Sequence, residues 1–198
     1  MGFNTCWSWL CSLITFLLLL NDSVIAHPRK ADGFGQFARD STDNDKYLIG
    51  VGKADITGPA ADVVLTGYAN LDQVGGGIRQ RLHSRAFIIG DVKNPKDRFV
   101  YVVLDNLVGD TAVRFGVLEA LAAAGQEYSV YGQDNIALAA VHSHSSPGGW
   151  NNYLVPQIPG YGFNDQSYQA IVDGAVLSIK RAHESLTEVS FSSKQFEY

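Results

Sequence analysis

Two apolar runs separated by one short polar turn constrain this chain most. Arg85 to Asp91 (RAFIIGD) and Phe99 to Asp105 (FVYVVLD) are rich in β-branched and aromatic residues, and Lys93-Asn94-Pro95-Lys96-Asp97 lies between them. Such a break joins neighbouring strands as an antiparallel hairpin, so a β-sheet stands at the centre of the fold. After the hairpin the hydrophobic period shifts twice toward that of helices. Thr111 to Ala124 places Val113, Val117, Leu118 and Leu121 at spacings of three and four, with Gly125 as a natural stop. Gln166 to Leu186 carries Ile171, Val172, Ala175, Val176, Ile179 and Ala182 on one stripe, with Asn164 or Asp165 placed to cap it.

Further extended segments are predicted at Tyr47 to Ile56, which Gly50 and Gly52 interrupt, and at Val63 to Leu65. Asn135 to Val141 (NIALAAV) is apolar enough for a strand buried on both faces, and Val189 to Phe191 opens one more. Gly75-Gly76-Gly77 reads as a flexible or tightly turning loop. It lacks the GKS/T ending of a phosphate loop. The order strand, strand, helix, strand, helix, strand describes an α/β domain, a layered mixed β-sheet with flanking helices. A strand that opens so near Tyr198 without a closing element reads as a domain cut partway, so an incomplete portion of something larger is expected.

The N-terminus has a different character. Cys6 to Leu20 is an uncharged apolar run of roughly 15 residues, short of the roughly 20 that span a membrane. Val24-Ile25-Ala26 follows as a small-residue cleavage pattern, so residues 1–26 are predicted to be a secretory signal peptide cut before His27. The expected location is secreted or extracellular. Both cysteines, Cys6 and Cys11, leave with that segment, which excludes disulfides, cysteine metal sites and a cysteine nucleophile from the mature chain. Residues 27–46 are polar, charged and without apolar period, the pattern of a flexible leader. With 15 Lys and Arg against 20 Asp and Glu, the net charge of −5 argues against nucleic acid as a partner.

The chemically informative stretch is Val141-His142-Ser143-His144-Ser145-Ser146-Pro147-Gly148-Gly149-Trp150. If a central strand runs through it, His142 and His144 project to the same side at that strand's carboxyl end, where α/β sheets bind ligands. Two neighbouring imidazoles suit Zn²⁺, though a site needs three or four ligands. The spacing alone is equally that of two half-buried histidines bonded to nearby carbonyls. No G-x-S-x-G elbow surrounds Ser143, Ser145 or Ser146, so a serine nucleophile has no support. His83 is either a possible partner ligand or, ahead of a strand, a residue facing solvent, and His183 reads as a surface residue on the polar side of the last helix. Asp105 either orients a histidine or arginine or simply forms a strand-end turn. Trp150, Tyr153, Leu154, Val155, Ile158, Tyr161 and Phe163 make an apolar run beside the histidines. Exposed, it suits a lipid or membrane surface; buried, it is core.

GVGKADITGPAADVVLTGYAN at 50–70, RQRLHSRAFII at 79–89, VVLDN at 102–106, NIALAAVHSHSSPGGW at 135–150 and the helix at 165–186 together resemble the neutral/alkaline ceramidase family. The resemblance runs through residues 47–198, and implies that they form the truncated N-terminal part of its catalytic domain. It implies an amidohydrolase that splits the N-acyl bond of ceramide into sphingosine and a fatty acid, with Zn²⁺ activating the attacking water. Ceramide or another sphingolipid is then the substrate partner, a membrane surface a candidate partner, and the oligomeric state open. Carried onto this sequence, His142 is the zinc ligand and His144 a catalytic group at the reaction centre. Ser146 stands where the family commonly has glycine, which is expected to narrow the loop at the substrate approach. The family's other ligands (another His, a Glu and a Tyr) lie downstream, so the 198-residue chain is expected to be inactive alone. The alternative is a truncated secreted protein that binds lipid or a partner without catalysis.

Overall fold

The structure, a computed structural model, describes residues 46–190. The expected signal peptide and all of the leader but Lys46 lie outside these residues. The predicted hairpin is present as β4 (His83–Asp91) and β5 (Arg98–Leu104), paired antiparallel from Ser84↔Leu104 to Gly90↔Arg98. Asp91 organises the turn, its carboxylate accepting from the backbone N–H groups of Lys93 and Asn94 at 2.6 and 2.8 Å. β1 (Lys46–Asp55) pairs antiparallel with the free edge of β4, and β6 (Ile136–Ala140) runs parallel to β5. With β7 (Thr187–Ser190) on β1, the sheet is five-stranded in the order β6-β5-β4-β1-β7. The expectation of a layered α/β fold with a mixed sheet holds.

Between β5 and β6 the chain makes α1 (Thr111–Ala124), the helical crossover that a parallel pair requires. Asp110 caps it, its side chain accepting from the Ala112 N–H at 2.8 Å. A short helix, α2 (Leu154–Gln157), precedes α3 (Asp165–Glu184), which Asn164 caps through the Ser167 N–H. Both long helices cover the same face of the sheet. Alternate residues of β4 and β5 point into that layer, and Ala86, Ile88, Val100, Val102 and Leu104 are fully buried against Val113, Val117, Leu121, Ala175 and Ile179. Each large aliphatic side chain buried this way contributes about 1.5–3 kcal/mol. The residues between them, Phe87, Ile89, Phe99 and Tyr101, face the other way and stay exposed.

The glycine that interrupts β1 at position 52 has a packing cause. α3 crosses β1 so closely that a Cβ on Gly52 would strike the backbone carbonyl of Ser178 and lie 2.5 Å from the Ala182 nitrogen. β7 pairs with β1 only from Lys46 to Ile49. Beyond it, α3 and the residue that follows supply the missing partners. Ser185 Oγ accepts from the Val51 N–H at 2.8 Å and donates to the Val51 carbonyl at 2.9 Å, and Arg181 reaches the Lys53 carbonyl at 2.6 Å.

Three sequence expectations need correction here. The glycine run is not a loop: Val74–Gly76 forms β3, paired antiparallel with β2 (Ala61–Val64) in a separate two-stranded sheet. β6 is not central. It lies at the edge, and only Ile136 of its residues is buried, because none of the described residues pairs with its outer side.

The third correction concerns His183, which is no simple surface residue. Its ring lies edge-on to Tyr128 and Tyr131, and Tyr131 Oη is 2.8 Å from its Nδ1. Burial, and then the nearby Arg98 charge, hold this imidazole below its ordinary value of 6.5. A depressed histidine binds its proton more weakly when folded, so the unfolded chain takes up more protons as pH falls through 6.5. Stability is then full above that pH and declines below it. Denaturant midpoints measured against pH should fall less steeply on the acid side for His183→Gln than for the native chain. Equal slopes would refute this.

Candidate functional site

β6 ends at Ala140, and the His-x-His segment lies in the loop beyond it. Two bonds keep the start of this loop beside β5: the Val141 N–H donates to the Leu104 carbonyl and the Ser143 N–H to the Asn106 carbonyl, both at 3.0 Å. Between them the backbone of His142 turns left-handed, with φ +65°. The far side of the loop is strapped to the chain after β2. There the Thr66 N–H donates to the Ser146 carbonyl at 3.0 Å, the Gly148 N–H to the Val64 carbonyl at 2.9 Å, and Leu65 bridges to Pro147. Trp150, fully buried, anchors the exit and donates its indole N–H to the Pro147 carbonyl at 2.9 Å.

These constraints bring the two imidazoles together, with ring centroids 4.9 Å apart and edge-on at 65°. The expected convergence is present but its cause differs. Strand alternation cannot produce it, since the strand has already ended; the left-handed turn at His142 does. His142 is exposed, and its ring makes no hydrogen bond among the described residues. His144 is half-buried, its ring 4.3 Å from that of Tyr68, and its buried Nδ1 has no hydrogen-bond partner among the described residues. Gly67, at φ +132°, passes under this ring so closely that a Cβ there would meet its Cγ at 2.6 Å.

The exposed ring of His142, unbonded among the described residues, is a donor that suits Zn²⁺, while the orphaned Nδ1 of its neighbour His144 is buried against Gly67. The donor set is incomplete. Among the described residues no group of three or more His, Cys, Asp or Glu is placed to hold a metal ion. His83 is not drawn to the pair: its ring Nδ1 is 3.8 Å from Asp105 Oδ2. Asp105, left open by the sequence, orients an arginine. Arg85 donates to its Oδ1 at 2.5 Å, which pushes the guanidinium pKa further up, and the His83 N–H donates to Oδ2 at 3.0 Å.

Beside the loop lies a cleft of about 660 Å³. The glycines of β3 and the adjoining Gly77, together with Arg79, Arg85, Ser143 and Ser145, line it. Ser143 is occupied as a turn acceptor, taking the Ser145 N–H on its Oγ at 3.2 Å. The expected narrowing by Ser146 is not seen at this cleft: its side chain does not line it but turns inward and is 2% exposed. The apolar run after the loop divides. Trp150 is core, while Tyr153, Leu154, Val155, Ile158 and Tyr161 are all more than half exposed.

Sequence reasoning missed Gly67, Tyr68 and Asn106 as parts of this site. Gly67 and Tyr68 fall within the GYAN segment, far in sequence from the histidines they touch. No local pattern marks Asn106.

The chain is similar to known proteins in sequence and in fold. Residues 47–197 match the family described as neutral/alkaline non-lysosomal ceramidase, N-terminal. Neutral ceramidase 2 of Arabidopsis thaliana is 45% identical over 140 residues, covering 71% of this chain and 18% of that protein. The neutral ceramidase of Oryza sativa is 39% identical over 185 residues, covering 93% and 21%. The crystal structure of neutral ceramidase from Pseudomonas aeruginosa superposes with a TM-score of 0.69 at 42% identity, covering 73% of this chain and 22% of that one. The chain thus spans about a fifth of the length of the relatives it matches. A shared sheet, a shared sequence along nearly all the described residues and a position at the N-terminal end of those longer proteins make this chain a member of the neutral/alkaline non-lysosomal ceramidase family.

Proposed function

We propose that this chain is the N-terminal portion of a secreted, zinc-dependent ceramide amidohydrolase, releasing sphingosine and a fatty acid from the N-acyl bond. The observation that carries the reading is the imidazole pair held open beyond the sheet edge, in a chain that belongs to the ceramidase family. His142, exposed and unbonded, is the residue here that would hold the metal. Zinc bound there supplies Lewis-acid activation of water at neutral pH. His144 stands beside it, its ring clamped over Gly67 and against Tyr68, where it can hold or pass a proton at the reacting amide. The exposed apolar residues of the α2 region, Leu154 and Val155 at 74% and 77% exposure, fit a substrate presented in a lipid surface.

Two imidazoles do not complete a catalytic zinc site, which uses three protein ligands. The 198-residue chain by itself is therefore expected to hydrolyse ceramide at least ~10³-fold more slowly than a polypeptide of its relatives' length, measured side by side with added zinc. Comparable zinc-dependent turnover by the short chain would overturn the assignment of the remaining ligands to other polypeptide. The incomplete donor set and the exposed α2 region also favour a second reading, a lipid-binding product without catalysis. That reading predicts vesicle binding with no turnover even in the longer polypeptide.

A further inference from the structure

Three polar side chains converge at a small cavity beneath the histidine loop, which shares Thr57, Leu82 and Pro147 with the wall of the cleft. Asn106, just past β5, is 1% exposed; Ser146, in the loop, and Ser167, in the first turn of α3, are each 2% exposed. Among the described residues neither amide atom of Asn106 has a hydrogen-bond partner, nor does the hydroxyl of Ser146 or of Ser167. A buried polar group left unpaired costs about 1–3 kcal/mol, so several together in one place would be a heavy burden on a domain of this size.

All three residues border a single internal cavity of about 10 Å³, which Ile56, Pro147 and Ile171 help to wall. That is about the room one water molecule requires. No charged side chain borders the cavity, which disfavours a cation. The lining does match water. The amide offers a donor and an acceptor, each hydroxyl can serve as either, and water brings two of each.

We infer that one internal water is bound here as a structural ligand, bridging Asn106, Ser146 and Ser167. Each of these residues already has a backbone or capping bond elsewhere. The Asn106 carbonyl takes the Ser143 N–H, the Ser146 carbonyl takes the Thr66 N–H, and the Ser167 N–H binds the Asn164 cap. The water therefore joins three separate elements: the end of β5, the loop that carries His142 and His144, and the start of α3. It holds that loop from beneath through side chains alone, and it accounts for Ser146 turning away from the cleft.

Two measurements on the full chain test this. A high-resolution crystal structure should show one isolated water in the cavity, within about 2.7–3.2 Å of at least two of the three side chains. An empty cavity, or the three side chains bonded directly to one another, overturns the inference. Melting temperatures of Ser146→Ala, Ser167→Ala and the double variant supply the second test. Each single change should lower the melting temperature by about 2–4 °C, and the double variant clearly less than the sum, since both bonds go to the same molecule. Strict additivity would overturn it equally.

Discussion

Replacing His142 with alanine in the full-length protein is expected to remove bound zinc and to lower kcat/KM for ceramide by roughly 10³-fold or more. The scale follows from metal sites in general, where even the outer partners of a ligand are worth 10–100-fold in affinity or activity. The residue's backbone sharpens the test. At φ +65° His142 occupies the left-handed region, which costs a residue with a Cβ roughly 1–2 kcal/mol and which glycine enters freely. Histidine is held there although glycine would be more comfortable, the pattern of strain retained at a functional site. His142→Gly should therefore lose metal and activity as completely as His142→Ala while keeping a melting temperature within a few degrees of native or above it. Metal analysis of the purified variants, paired with thermal melts, separates the two quantities. Retained zinc in both variants would remove His142 from the metal site.

The second large effect is expected at Gly67, a residue with no functional group. At φ +132° it is unsuited to any side chain, and an alanine Cβ there would sit 2.6 Å from Cγ and 3.0 Å from Cβ of His144. Real carbon atoms do not approach so closely, so either the histidine loop or the chain after β2 must move. Straps at Thr66–Ser146 and Val64–Gly148 resist that movement, and His144 is wedged on its other sides by Tyr68 and His142. Overpacking of this kind costs about 1–3 kcal/mol. The catalytic loss should exceed what that destabilisation explains, because a displacement near 1 Å of a reacting group is worth about 10²-fold. Gly132→Ala is the control. It lies in the turn before β6, away from the cleft, its added carbon would meet nothing within 4 Å, and both stability and turnover should be unchanged. Should Gly67→Ala behave like the control, the tight seating of His144 is not what organises this site.

Much of the fold was legible because the signals are local. β4 and β5 are short runs of β-branched and aromatic residues joined by a polar turn, and Val113, Val117 and Leu121 recur at helical spacing; such signals mark an element without reference to the rest of the chain. The cap at Asn164 acts within three residues of itself. The candidate histidines were legible as well, since their spacing and the Ser-Pro-Gly loop after them are contiguous.

What periodicity cannot express is which element covers which. NIALAAV has the composition of a buried strand, yet β6 is an edge, because burial there depends on a neighbour that none of the described residues supplies. His183 looked polar-faced along its helix, yet Tyr128 and Tyr131 arrive from the turn after α1 to enclose it. By itself the chain's order of residues determined the hairpin, the two long helices and the imidazole pair, all set by interactions reaching a few positions along the backbone. Only the tertiary structure decided that a left-handed turn rather than a strand aims His142, that Gly67 and Tyr68 seat His144, and that Ser146 faces inward. Those outcomes rest on contacts between segments dozens of residues apart, whose geometry no local pattern encodes.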